Sequence, residues 1–245
     1  VIKKDGCWVV NKNMKTHITY AHGRYLQSRK LCSDTALSKG GFDKSIPCDL
    51  EHIDPQFIQD NSYIFSQPRG AGCWLWKPYL ILKHLKEMQN KDWLMYTDSG
   101  MYFQKSPWDY ILSNETNIGE KGIVTFGTCG TNKHYCKRDA FVFMDLDTAD
   151  FADSPHRTAS VFVCKKTEFS INFVEEWLKY GCDPRIITDL PNSKGLPNYA
   201  DFADHRQDQS IMSLLCKKYD TLVLDDLTQW SGKPDPYMIH TRNPN

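Results

Sequence analysis

The stretch Trp93-Leu94-Met95-Tyr96-Thr97-Asp98-Ser99-Gly100-Met101-Tyr102-Phe103 decides how the chain is read. Its first five residues are apolar, aromatic or β-branched, and predict a short buried strand. Ser99-Gly100 breaks the run. Asp98 then stands at the end of a central strand, on the crevice where open α/β sheets bind ligands. A carboxylate there can hold a divalent metal, and the metal a diphosphate. The plainer reading is an Asp that starts a turn with Ser99 and Gly100.

Working outward, Thr16–Ala21 reads as a first strand, His22-Gly23 as its end, and Arg24–Leu37 as a helix with Tyr25, Leu26, Ala36 and Leu37 as apolar points. Strand, glycine turn and helix is a common opening of nucleotide-binding α/β domains, although no Gly-x-Gly-x-x-Gly is present. Phe42–Ile46 and Tyr63–Phe65 read as short strands. Asp54-Pro55 reads as a capped helix start. In Arg69-Gly70-Ala71-Gly72-Cys73-Trp74-Leu75-Trp76-Lys77-Pro78 the glycines predict a turn, with Pro78 opening a helix through Ile81, Leu82, Leu85 and Met88. That places Arg69, Lys77 and two indoles near a helix N-terminus, where anions are favoured. A packed loop with tryptophan anchors is the alternative.

Past the quoted stretch, Gly122–Phe126 reads as a strand and Thr128–Asp139 as a loop. The apolar run Ala140–Met144, read as another strand, leads into Asp145-Leu146-Asp147, a literal Asp-x-Asp and a rival metal site; capping carboxylates are the plainer reading. Ala159–Cys164 predicts a strong strand, and Glu168–Tyr180 an amphipathic helix. Residues 181–204, rich in Gly, Pro, Asn and Asp, predict a mobile substrate loop. Asp208 and Gln209 then fall in the first turn of a helix through Ile211, Leu214 and Leu215, and Thr221–Leu224 reads as the last strand.

The 245 residues suffice for one large α/β domain, and no repeat or linker divides them. Thirty basic and thirty acidic side chains cancel, which argues against a nucleic-acid substrate or an anionic membrane surface. Aromatics at 13% suit stacking on sugars or bases, and large cores as well. Nine cysteines with no Cys-x-x-Cys pair argue against a zinc knuckle and point towards a reducing, cytoplasmic compartment. No run approaches a membrane span, and no signal peptide stands out. A start at Val1 rather than Met leaves room for an upstream anchor and hence for a Golgi lumen.

Taken in order, several segments resemble one family. Tyr96-Thr97-Asp98-Ser99-Gly100 resembles the Asp-x-Asp strand end of GT-A glycosyltransferases. Asp208-Gln209-Ser210-Ile211 resembles the Asp-Gln-Asp helix start of the family-8 retaining transferases, and Ile239-His240 the late histidine of their metal site. The Arg69–Pro78 and His205–Ser210 segments are similar to little-characterised viral and bacterial glycosyltransferase-like sequences. The resemblance covers about residues 16–242. It implies an α/β fold of a single GT-A (Rossmann-like) domain, a mixed central sheet flanked by helices. The nucleotide-binding half would span about 16–120 and the acceptor half about 121–245.

It further implies a nucleotide-sugar donor, with UDP expected, a glycan or other hydroxyl acceptor, and Mn²⁺ or Mg²⁺ as cofactor. Carried over, Asp98 and His240 would ligate the metal. Asp208 and Gln209 would lie near the anomeric carbon. Thr19, Tyr20 and Ala21 would line the base and ribose site, with Arg69, Trp76, Lys77 and Ser99 completing the donor site. Gly100 stands where the family has a second Asp, which removes one metal ligand. Without a metal, Lys77, Arg69 and Arg242 would have to neutralise the diphosphate. Two other readings stay open: a metal-dependent phosphohydrolase or nuclease on Asp145 and Asp147, and a non-catalytic sugar-binding module.

Overall fold

The computed structural model describes residues 13–241 and the backbone of residues 2–4 and 7–9. Strands β1 (Ile2–Lys4) and β2 (Cys7–Val9) form an antiparallel pair of their own. The central sheet uses β3 (Lys15–Tyr20), β4 (Lys44–Cys48), β5 (Trp93–Thr97), β7 (Ile123–Thr131), β8 (Pro155–Lys165) and β9 (Leu222–Leu224). Its order is β4-β3-β5-β8-β7-β9. β3 runs parallel to β4 and β5, while β8 is antiparallel to both β5 and β7, so the sheet is mixed. A second small pair joins β6 (Met101–Phe103) to β10 (Met238–His240), with His240 opposite Met101.

Every residue of β5 is buried, as a strand covered on both faces requires. Its side chains alternate: Leu94 and Tyr96 enter one core, Trp93 and Met95 the other. The first core is closed by the helices Trp76–Glu87, Glu168–Gly181 and Gln207–Lys218, the second by helix Leu26–Ser38 and the Trp108–Leu112 turn. Helix Glu168–Gly181 presents Phe173, Val174 and Trp177 at helical spacing to that first core, and Thr167 caps it by accepting from the Ser170 amide. Among the described residues no helix is long and apolar enough to cross a membrane, and Cys32, Cys48, Cys73, Cys129, Cys136, Cys164, Cys182 and Cys216 are unbridged.

The structure departs from the sequence reading at several elements. Tyr63–Phe65 is part of a one-turn helix, Ser62–Phe65, not a strand. Ala140–Met144 belongs to helix Arg138–Phe143 and its cap, not a strand; Ala140, Phe141 and Met144 share its buried face at i, i+1 and i+4. Short apolar runs satisfy both periods, and only packing separates them. The short strand expected at Phe42–Ile46 begins and ends two residues later. β7 continues through Thr131 into the region expected to be loop, and β10 follows the strand expected to be last. Helix Leu26–Ser38 faces the sheet with Ser28, Cys32, Ser33, Thr35 and Ala36, while Leu26 and Leu37 point outward. Small side chains let it lie close to the strands. Residues 181–204 are strapped down rather than loose. The Lys137 ammonium donates to the carbonyls of Thr188 and Leu190, Ser193 donates to Asp139, and Asn198 accepts from the Arg138 amide.

Candidate active site

Two cavities adjoin, one at the carboxyl ends of β3 and β5 and one beside β7, β8 and the carboxyl end of β9. The first, of about 470 Å³, is lined by Tyr20, Ala21, Trp76, Asp98, Ser99 and His240, together with His22, Arg24, Tyr25, Trp74 and Tyr96. The second, of about 780 Å³, is lined by Ser160, Arg206, Gln209, Asp225, Asp226 and Trp230 among others. His240 lines both, so they adjoin at β10. β10 is held there by the Thr241 amide and hydroxyl, which donate to the Gly100 carbonyl, and by Gln229, which pairs with both backbone groups of His240.

Three charged side chains meet beneath the junction. Lys77, only 3% exposed, places its ammonium 2.9 Å from Asp208 Oδ2 and 3.6 Å from Asp98 Oδ1, and donates to the Ala159 carbonyl at 3.2 Å. Asp98 is the more open carboxylate, 29% exposed, and its Oδ1 accepts the Tyr96 hydroxyl at 2.7 Å. Its amide donates to the Ser160 carbonyl, which fixes the turn against β8. Asp208 is 3% exposed. Its Oδ2 has the Lys77 ammonium as its ion-pair partner. Burial pushes the Asp208 carboxyl up to about 6, against the opposing pull of Lys77. Burial works to lower the Lys77 ammonium too, but Asp208 and Asp98 outweigh it and hold it above its ordinary value.

The backbone around this centre is unusual. Gly70, Ala71, Gly72, Cys73 and Trp74 all have φ between 50° and 95°. They form a left-handed turn closed by the Cys73 amide on the Arg69 carbonyl and the Trp74 amide on Gly70. Each non-glycine residue in that region costs roughly 1–2 kcal/mol. Burial of Cys73 and Leu75, and the Trp76 indole N–H on the Gly70 carbonyl, offset it. The turn sets Gly70, Ala71 and Trp74 into the cavity wall. Trp76 stacks on Tyr20, with ring centroids 3.9 Å apart, and joins this turn to β3.

The structure thus brings together Tyr20, Ala21, Trp76, Lys77, Asp98, Ser99, Asp208 and His240, with Gln209 on the second cavity and its Oε1 accepting from the Ala159 amide. Lys77 and Asp208 are buried and line neither cavity, and two further residues lie apart from the cluster. Thr19 alternates with Tyr20 on β3 and is buried away from the cavity lining. Arg69 forms a two-pronged pair with Asp204 at 3.0 and 2.6 Å and does not line the cavity. Arg242 lies outside the described residues. Asp147 is engaged by Arg138 and the Tyr199 hydroxyl, Asp145 is an exposed turn residue, and neither lines either cavity. Sequence reasoning missed Arg24, Tyr25 and Trp230; the signal for Arg24 was its place just after the β3 glycine turn, and Trp230 had none.

The expected metal ligands Asp98 and His240 both line the first cavity, and the described residues add no third protein ligand to them. Among the described residues no group of three or more His, Cys, Asp or Glu side chains could hold an ion. An ion on Asp98 Oδ1, about 2.1 Å out, would sit within about 5.7 Å of the Lys77 ammonium, itself 3.6 Å from that oxygen. The ammonium would repel such an ion, while the Asp98 and Asp208 carboxylates would attract it.

This arrangement of a mixed sheet with a carboxylate at the end of a central strand is the GT-A glycosyltransferase fold. Mouse xyloside xylosyltransferase 1 superposes with a TM-score of 0.51 at 9% identity, over 93% of this chain and 97% of that one. The bifunctional glycosyltransferase WbbM gives 0.54 at 10% identity, over 97% of this chain and 47% of that one. Identities this low establish the fold alone. No protein-family model matches the sequence, and no curated protein matches it.

Proposed function

We propose that the protein is a glycosyltransferase that moves a sugar from a nucleoside diphosphate, UDP in the first instance, to a hydroxyl of a glycan or similar acceptor. The observation that carries this reading is the pair of cavities adjoining at His240, with Asp98 and Asp208 linked beneath by one ammonium. The 16–120 half supplies most of the first cavity, which we assign to the donor. The 121–245 half supplies most of the second, which we assign to the acceptor.

In transfer, the bond between the anomeric carbon and the diphosphate oxygen breaks, the acceptor hydroxyl forms the new bond, and its proton passes to the departing diphosphate oxygen. Positive charge builds on the sugar ring and negative charge on the leaving diphosphate. Asp208, ionised above about pH 6 and buried beside Lys77 on neither cavity wall, would stabilise the ring charge through space rather than by contact. Gln209, beside it on the acceptor side, would orient the incoming group. With Asp208 as this stabiliser we assign retention of configuration; Asp225 or Asp226, on the wall of the second cavity, would be the base of an inverting transfer. Trp76 and Tyr20 would hold the nucleoside end.

Screening nucleotide sugars for donor hydrolysis, followed by NMR of the anomeric product, tests this. A released sugar of retained configuration is the expected result. No turnover of any donor and no nucleotide binding would overturn it.

A further inference from the structure

Resting on the transferase reading above, we infer that the donor diphosphate is neutralised by Arg24 rather than by a bridging divalent cation. Three observations converge on this. First, Gly100 contributes no second carboxylate, and the described residues offer no three-ligand cluster. Second, Asp98 already has two partners within the fold, although it shares the Lys77 ammonium with Asp208. Lys77 lies 3.6 Å from its Oδ1 and the Tyr96 hydroxyl donates to the same oxygen. Lys77 cannot swing aside, because it is buried and bound to Ala159 and Asp208.

Third, the first cavity carries its own cation. Arg24 lines it from the turn after β3, exposed, with its guanidinium 5.1 Å from the Tyr25 ring and donating to the Tyr25 hydroxyl. A guanidinium on a flexible stem, leaning on an aromatic face, can turn its fork to two phosphate oxygens. The imidazoles of His22 and His240 line the same cavity and add donors.

The test is isothermal titration of the whole chain with UDP and GDP, first with EDTA and then with Mn²⁺. Binding in EDTA that Mn²⁺ changes by less than about threefold, and that Arg24→Ala weakens about tenfold, is the expected result. Melting of Arg24→Ala should match the parent, since the side chain is exposed. Binding that appears only with Mn²⁺, or tightens about tenfold with it, would overturn the inference and leave the transferase reading standing. Unchanged affinity in Arg24→Ala would overturn the assignment to Arg24. No binding of either nucleotide in either condition would overturn the transferase reading itself, and the inference with it.

Discussion

Lys77 and Asp208 carry the largest electrostatic stake in the molecule, because both are nearly excluded from water. Removing one partner of such a pair leaves the other charge buried and alone, at about 3–5 kcal/mol. Lys77→Met should therefore lose stability of that order in urea denaturation at neutral pH. Adding Asp208→Asn should restore most of it, because the stranded charge goes too. Asp208→Asn alone should lower kcat by about a hundredfold or more while donor Kd moves little, the pattern of an interaction made mainly in the transition state. Equal losses in both would indicate a ground-state interaction. Since Asp208 titrates at about 6 and acts ionised, turnover should fall about tenfold per unit as pH drops below that value.

At the scale of elements, the left-handed turn at Gly70–Trp74 is the part least tolerant of change. A methyl on Gly70 would lie 2.1 Å from the Trp74 ring at a φ of +60°. Gly70→Ala should cost about 2–4 kcal/mol through overpacking and backbone strain. It should also weaken nucleotide binding, because Trp74 is part of the cavity wall; urea denaturation and titration check the two effects separately. Helix Gln207–Lys218 shows how much of an element can be read locally. Its first turn was expected at Asp208 and Gln209 from the polar run before Ile211, and it lies there. The strands expected at Tyr63–Phe65 and Ala140–Met144 are helical instead, since a run of three to five apolar residues fits either geometry.

Across the whole molecule, three histidines are buried neutral. Burial lowers His17, His156 and His205 to about 3. Burial keeps each neutral, and in His205 Nε2 donates to the Ile186 carbonyl while Nδ1 accepts from the Lys137 amide. The unfolded chain binds these protons near pH 6.5 and the folded chain does not, so their stability is present above 6.5 and lost as pH falls towards 3. Asp208 acts in the opposite sense, since its raised pKa makes folding more favourable as pH falls from 6 to 4. Three groups against one leave a net loss of roughly 3 kcal/mol per pH unit in that window. The urea midpoint should therefore fall steeply below pH 6.5, and a flat profile down to pH 4 would contradict these burials. At neutral pH, UDP at a hundredfold excess over its Kd should add about 2.7 kcal/mol, read as a rise in Tm of several degrees.

The sequence by itself determined the α/β class, the β3, β5 and β8 strands, the Asp54 and Asp208 helix starts and the place of Asp98 at a strand end. These rest on apolar runs and on residues that act on their immediate neighbours, so a linear reading finds them. Only the tertiary structure decided which charges meet. Lys77 opens one helix, Asp98 ends a strand and Asp208 opens another helix far along the chain. The order β3-β5-β8, and two helices packed on one face, put them within 3.6 Å of one ammonium. The same packing assigned Arg69 to Asp204 and turned Thr19 away from the cavity, while Arg24, unmarked by any motif, was left on its wall. A carboxylate's partner and its access to water depend on what folds against it, and neither is encoded in its neighbours along the chain.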